Sequence, residues 1–150
     1  MSDSEELIWT ARSFVYAHFV ATAQPPTIDQ TAQHLAITPE AAVGLYRTLD
    51  ARHALRLEPG TTQIRMTNPF STLPTSFEVT AHGQCYWANC AWDAFGIPAA
   101  LHADADIRAR CAFSGTPLHI RVRGATFSGD HGFVHFLLPC HRWYDDLVFT

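Results

Sequence analysis

Between positions 5 and 21 the apolar residues Leu7, Ile8, Ala11, Phe14, Val15 and Phe19 recur at three- and four-residue intervals, which predicts a first helix with one face turned inward. Pro25-Pro26 stops it. Thr27-Ile28-Asp29-Gln30 then reads as a capping box, the threonine oxygen and glutamine side chain each satisfying a first-turn amide, and opens a short second helix to about residue 36. Thr38-Pro39 repeats the start signal, and Ala42, Leu45, Tyr46 and Leu49 supply the stripe of a third helix. Leu55-Arg56-Leu57 and Gln63-Ile64-Arg65-Met66 alternate about the turn Glu58-Pro59-Gly60-Thr61, as a hairpin does.

Three short helices and a hairpin outline a winged-helix-like segment over residues 1–68. Asn68 to Thr75 is broken by prolines and reads as an extended linker. Beyond it, Phe77-Glu78-Val79 and Gln84-Cys85-Tyr86 predict strands about the turn Ala81-His82-Gly83, and Trp87 to Leu101 predicts an apolar helix that Pro98 bends or ends. Leu118 to Arg123 alternates as a half-exposed strand, and Phe133 to Leu138 reads as a continuous buried one. The expected fold is therefore α+β: the trihelical segment packed on a small mixed or antiparallel sheet with one apolar helix, residues 75–150.

At 150 residues and 47% hydrophobic, the chain can bury a core of domain size. No apolar run reaches the roughly 18–20 residues of a membrane span, and the start, Met1 to Glu6, is acidic, unlike a signal peptide; the expected location is the cytoplasm, with no membrane partner. A formal charge of −4 repels polyanions. Residues 27–66 balance Arg47, Arg52, Arg56 and Arg65 against Asp29, Glu40, Asp50 and Glu58, a poor phosphate clamp, so nucleic acid is not the expected partner. A structural or partner-docking role suits this segment better.

Cys85, Cys90, Cys111 and Cys140 contain no C-x-x-C pair, and in a reducing compartment they are thiols. Within the helix expected from Trp87, Cys90 and Asp93 stand at i and i+3, so thiol and carboxyl share a face. Apolar walls from Trp87, Trp92, Phe95 and Ile97 would raise the carboxyl pKa, making it a proton donor as well as an acceptor. A thiolate beside a proton carrier suits soft-metal chemistry. A packed, inert Cys90 is the competing reading. His131 and His135 invite zinc, but their glycine-flanked setting is strand-like, and adjacent acids such as Asp145-Asp146 point to opposite faces of a strand. The sequence has neither a phosphate-binding glycine loop nor a G-x-S-x-G elbow.

The run Trp87-Ala88-Asn89-Cys90-Ala91-Trp92-Asp93 with Ile97-Pro98-Ala99 resembles the active-site helix of the alkylmercury (organomercurial) lyase family. Further similar segments are Cys111 with Gly115-Thr116-Pro117-Leu118, then Leu137-Leu138-Pro139, Trp143 to Phe149, and Asn68-Pro69-Phe70-Ser71 in the N-terminal half. The resemblance implies protonolysis of a carbon–mercury bond. Thiolates hold the metal of R–Hg⁺, a carboxyl delivers a proton to the departing carbon, and the protein keeps Hg²⁺. Cys90 matches the first catalytic thiol, Asp93 the proton-handling acid, and Cys111 a buried structural cysteine. No resident cofactor is implied; the partners are a small organometallic substrate, a low-molecular-weight thiol as co-substrate, and a mercury-accepting thiol or reductase.

The family's second catalytic cysteine would fall at Thr150 or just beyond it, where this sequence has none, so either the chain continues or this member lacks that thiol. Cys140, followed by His141, could serve as the second mercury ligand, or it could simply pack at a strand end. Cys85, five residues before Cys90, is a weaker candidate. Two functions stay open: an organomercurial lyase-like enzyme, and a non-catalytic winged-helix regulator or soft-metal sensor in which the same cysteine detects without cleaving.

Overall fold

The computed structural model describes residues 3–145. The chain forms two compact units, residues 1–73 and 74–150.

In the first unit, α1 (Asp3–Thr22), α2 (Ile28–Leu35) and α3 (Pro39–Ala51) precede β1 (Arg56–Leu57), β2 (Ile64–Thr67) and β3 (Phe70–Ser71). Thr27 and Gln30 form the expected capping box, and Thr38 caps α3 ahead of Pro39. Ile8, Ala11 and Val15 of α1 meet Tyr46 and Leu49 of α3 and Leu55, Leu57 and Ile64 around the hairpin in one apolar core. Inside the unit, Thr31 and Tyr46 join their hydroxyls at 2.6 Å, so neither buried oxygen is left without a partner. The stretch read as a linker departs from expectation. Phe70 and Ser71 pair antiparallel with Thr67 and Met66, because the Phe70 ring is buried against Phe19, 5.0 Å between centroids.

The second unit begins with the hairpin β4 (Phe77–Ala81) and β5 (Gln84–Ala88), in the register Val79 opposite Tyr86. His82 and Gly83 both have positive φ at its turn, the geometry that matches the twist of a two-residue hairpin. Helix α4 (Ala91–Leu101) follows, then β6 (Ala105–Arg110), β7 (Pro117–Arg123) and β8 (Thr126–Gly129). The strands lie in the order β5-β4-β6-β7-β8, antiparallel throughout. Ala94 and Ile97 of α4 are buried, as are Val79, Ala81, Tyr86, Ala88, Ala105, Ile107 and Val122 of the strands, and α4 packs on β4 and β5. Pro98 does not end α4, which runs on to Leu101 until a left-handed His102 and a hydrogen bond from Ala103 N–H to the Pro98 carbonyl close it.

Two sequence expectations fail in this unit. Tyr86 and Ala88 keep the period-two burial of β5, so the helix expected from Trp87 starts only at Ala91. Residues 133–138 form no strand, and Phe133 and Leu137 are exposed. The ladder beside β7 is already filled by β8, delivered by a turn with positive φ at Gly124 and Ala125, so the apolar run finds no strand edge there. A short 3-10 helix, Cys140–Asp145, ends the described chain. No helix among the described residues is long and apolar enough to cross a membrane.

Candidate active site

Asn89 and Cys90 link β5 to α4, and Cys90 is the N-cap of that helix in extended backbone conformation, φ −149° and ψ −179°. Asp93 sits at the third helical position. In α2 the residues at these same two positions, Thr27 and Gln30, hydrogen-bond the helix's own amides. In α4 they turn to each other: the Cys90 thiol donates to Asp93 Oδ2 across 3.6 Å, and the sulfur forms no regular cap hydrogen bond. The Asn89 amide donates to the same oxygen at 3.2 Å. The sequence expectation that thiol and carboxyl share a face is met, although by an N-cap and its first turn and not by two residues within a helix.

Both groups are half-buried. Burial pushes the Asp93 carboxyl above the ordinary carboxylate range, and the Asn89 and Cys90 hydrogen bonds pull it partly back. Burial also pushes the Cys90 thiol up, and the Asp93 charge adds to this; the backbone N–H groups of Asp93 and Trp92 act the other way, as a helix N-terminus should. Burial thus shifts both the thiol and the carboxyl towards their protonated forms.

The expected apolar walls separate. Ile97 enters the core, Phe95 meets Phe127 edge-on at 5.2 Å, and Trp92 is 63% exposed. Trp87, on β5, lines a different groove with Arg108, Arg110 and His119. Trp92 instead lines an open groove of about 520 Å³ together with Leu137, Leu138, Cys140 and Trp143. Cys90 does not line that groove, so Cys140 is brought beside Trp92 and not into the Cys90–Asp93 pair. Cys140 opens the 3-10 helix as an exposed residue, in place of packing at a strand end.

Cys111 also differs from expectation. It does stand at the Gly115 turn, whose N–H donates to the Cys111 carbonyl at 2.8 Å, but it is half-exposed and not buried. Hydrogen bonds to its sulfur from the Ser114 hydroxyl and from the Ser114 and Phe113 N–H groups hold its thiol below the ordinary range. Sequence reasoning missed Asn89 altogether; a polar amide directly before an expected Cys-x-x-Asp pair was the available signal. Cys85 is exposed on β5 opposite Thr80. Among the described residues no three His, Cys, Asp or Glu side chains gather as a metal site, His131 and His135 included. Asp145 pairs with Arg142 at 2.8 Å, while Asp146 and the segment through Thr150 lie outside the described residues.

A family model, that of the alkylmercury lyases (MerB), matches residues 70–149, more than half of the chain and all of the Asn89–Asp93 motif. The chain belongs to the alkylmercury lyase family. Its fold agrees with that assignment: the mercury-bound form of MerB2 superposes with a TM-score of 0.64 at 22% identity, over 82% of this chain. This alkylmercury lyase family member covers 63% of that protein's length. Among curated proteins no sequence matches it.

Proposed function

We propose that this alkylmercury lyase family member captures an organomercurial at Cys90 and cleaves its carbon–mercury bond, with Asp93 carrying the proton. The observation that supports this most directly is the 3.6 Å contact between Cys90 Sγ and Asp93 Oδ2 at the head of α4. In the first step Cys90 Sγ displaces a weakly held ligand from R–Hg⁺, an S–Hg bond forms, and the thiol proton passes to the Asp93 carboxylate. In the second step that proton goes to the carbon of R, the electron pair of the C–Hg bond becomes the new C–H bond, and R–H leaves. Hg²⁺ stays on Cys90 and the carboxylate is restored. No redox change occurs, and no resident cofactor is needed.

The geometry suits each group to its step. A carboxylate whose pKa burial raises takes up the thiol proton more readily than an exposed one would, and as an acid it can pass that proton to a carbanion-like carbon. The thiolate gains from the helix N-terminus once mercury has displaced the proton. Mercury prefers two soft ligands, so a low-molecular-weight thiol is the co-substrate that completes the product complex and removes it. Cys140, beside Trp92, is the thiol of this chain proposed to relay the ion towards such an acceptor or a reductase. Thiol chemistry of this kind requires a reducing compartment, and we place the protein in the cytoplasm on that ground.

The regulator reading gains nothing from the first unit. Arg52, Arg56 and Arg65 are each engaged by a carboxylate, from Glu5, Asp50 and Glu58 respectively, which leaves them poor phosphate ligands. We assign residues 1–68 a structural, winged-helix-like role and residues 75–150 the chemistry.

The test is intact-protein and peptide mass spectrometry after one equivalent of an arylmercury salt, with excess small thiol to strip mercury from exposed sulfurs. Asp93→Asn is expected to retain an R–Hg adduct on the Cys90 peptide, whereas the wild type loses R and, once the small thiol has removed the product ion, returns to its mercury-free mass. An adduct found only at Cys85 or Cys111, with Cys90 unmodified, would overturn the assignment.

A further inference from the structure

Asp93 Oδ2 receives both hydrogen bonds made to this carboxylate, from the Cys90 thiol and from Asn89 Nδ2, while Oδ1 accepts none among the described residues. Two donors on one oxygen fix the carboxylate plane: Oδ2 is held towards the sulfur and Oδ1 is left open. A carboxylate bonded only to a thiol, a weak donor, could rotate about its side-chain torsions, and any such rotation would separate the proton acceptor from the thiol. Asn89 is itself half-buried at the end of the β4–β5 hairpin, where pairing of Glu78 with Trp87 anchors the strand just before it. The amide is thus presented from the sheet and the carboxylate from the helix.

We propose that Asn89 is a positioning residue for the protonolysis step, acting through Asp93 to hold one carboxyl oxygen at the Cys90 sulfur and the other free to face the substrate carbon. This rests on the lyase reading given above. It separates the two steps of the reaction. Capture depends less on carboxylate orientation, because the ligand displaced from R–Hg⁺ or bulk solvent can take the thiol proton in place of Asp93 Oδ2. Delivery of the proton to carbon does depend on that orientation, because a donor misplaced by an ångström loses most of its rate advantage. Asn89 acts through Asp93, and its contribution is larger in the second step.

The experiment is a single turnover of the 150-residue protein with an arylmercury salt and excess small thiol, following loss of the Cys90 thiol and release of arene separately. Asn89→Ala is expected to slow arene release about tenfold, in the range typical of residues that orient a reacting group, and to slow capture by much less. Asn89→Gln, which keeps the amide donor on a longer stem, is expected to recover part of the loss; Asn89→Ser is the substitute should the alanine variant fold poorly by circular dichroism. Equal arene release by wild type and a folded Asn89→Ala, or equal slowing of capture and release, would overturn the inference while leaving the lyase reading intact. A wild type that captures mercury but releases no arene would overturn the lyase reading, and this inference with it.

Discussion

Cys90 and Asp93 occupy the N-cap and third positions of α4, the two places where a capping box would form, and they bond to each other without forming that box. The same positions in α2 carry Thr27 and Gln30, which do cap. The helix head that carries the proposed chemistry is therefore less well capped than the fold allows, and substitutions there should trade function for stability.

Cys90→Ser places a preferred N-cap residue ahead of Ala91. It should raise the unfolding free energy by about 0.5–1 kcal/mol, seen as a higher urea midpoint with an unchanged slope, while ending mercury capture at this position. A lower midpoint would show that the sulfur contributes more through packing than the missing cap costs.

Asp93→Asn removes a carboxyl whose pKa burial raises in the folded state. With the folded value above the unfolded one, the native protein binds more protons in the interval between them, so wild-type stability falls as pH rises through that interval. The amide variant does not titrate. Its melting temperature should therefore match the wild type's in acid and exceed it by a few degrees at neutral pH. A gap that is the same at both pH values would contradict the raised pKa.

Reactivity toward ordinary alkylating agents should not follow catalytic importance. Cys111 is held below the usual thiol range by Ser114 and Phe113, whereas burial and the Asp93 charge lift Cys90 above it. Peptide mass spectrometry after brief iodoacetamide treatment at neutral pH should find Cys111 labelled before Cys90. The opposite order would mean that the α4 N-terminus outweighs burial at Cys90.

The fold was legible where periodicity and punctuation agree. The stripes of α1 and α3, the box at Thr27–Gln30 and the turn at His82–Gly83 each carry a local signal that tertiary packing leaves intact. It was not legible where pairing decides. β6 buries only Ala105 and Ile107 fully, and β8 is exposed along its whole length, so neither shows a strong apolar pattern; both exist because a neighbouring strand offers a ladder. Phe133 to Leu138 shows the reverse, an apolar run that joins no strand. At the site, the Cys-x-x-Asp spacing pointed correctly to a thiol–carboxyl contact, since positions three apart approach each other both within a helix and across its first turn. The helix boundary moved by four residues, from Trp87 to Ala91, because strand alternation in Tyr86 and Ala88 outweighs helix-compatible composition. Nothing in the spacing of Cys111 from the other cysteines marks it as half-exposed; that follows from the Cys111–Thr116 turn.

Hydrocarbon release from a small organomercurial, in excess thiol, tests the account most directly when wild type, Cys90→Ser and Asp93→Ala are compared side by side by gas chromatography. The wild type should release the hydrocarbon well above the protein-free rate. Cys90→Ser should fall to background, and Asp93→Ala should bind the substrate and release it at least a hundredfold more slowly, the scale of a lost general acid of about 10²–10⁴. One common background rate for all three proteins would contradict the account.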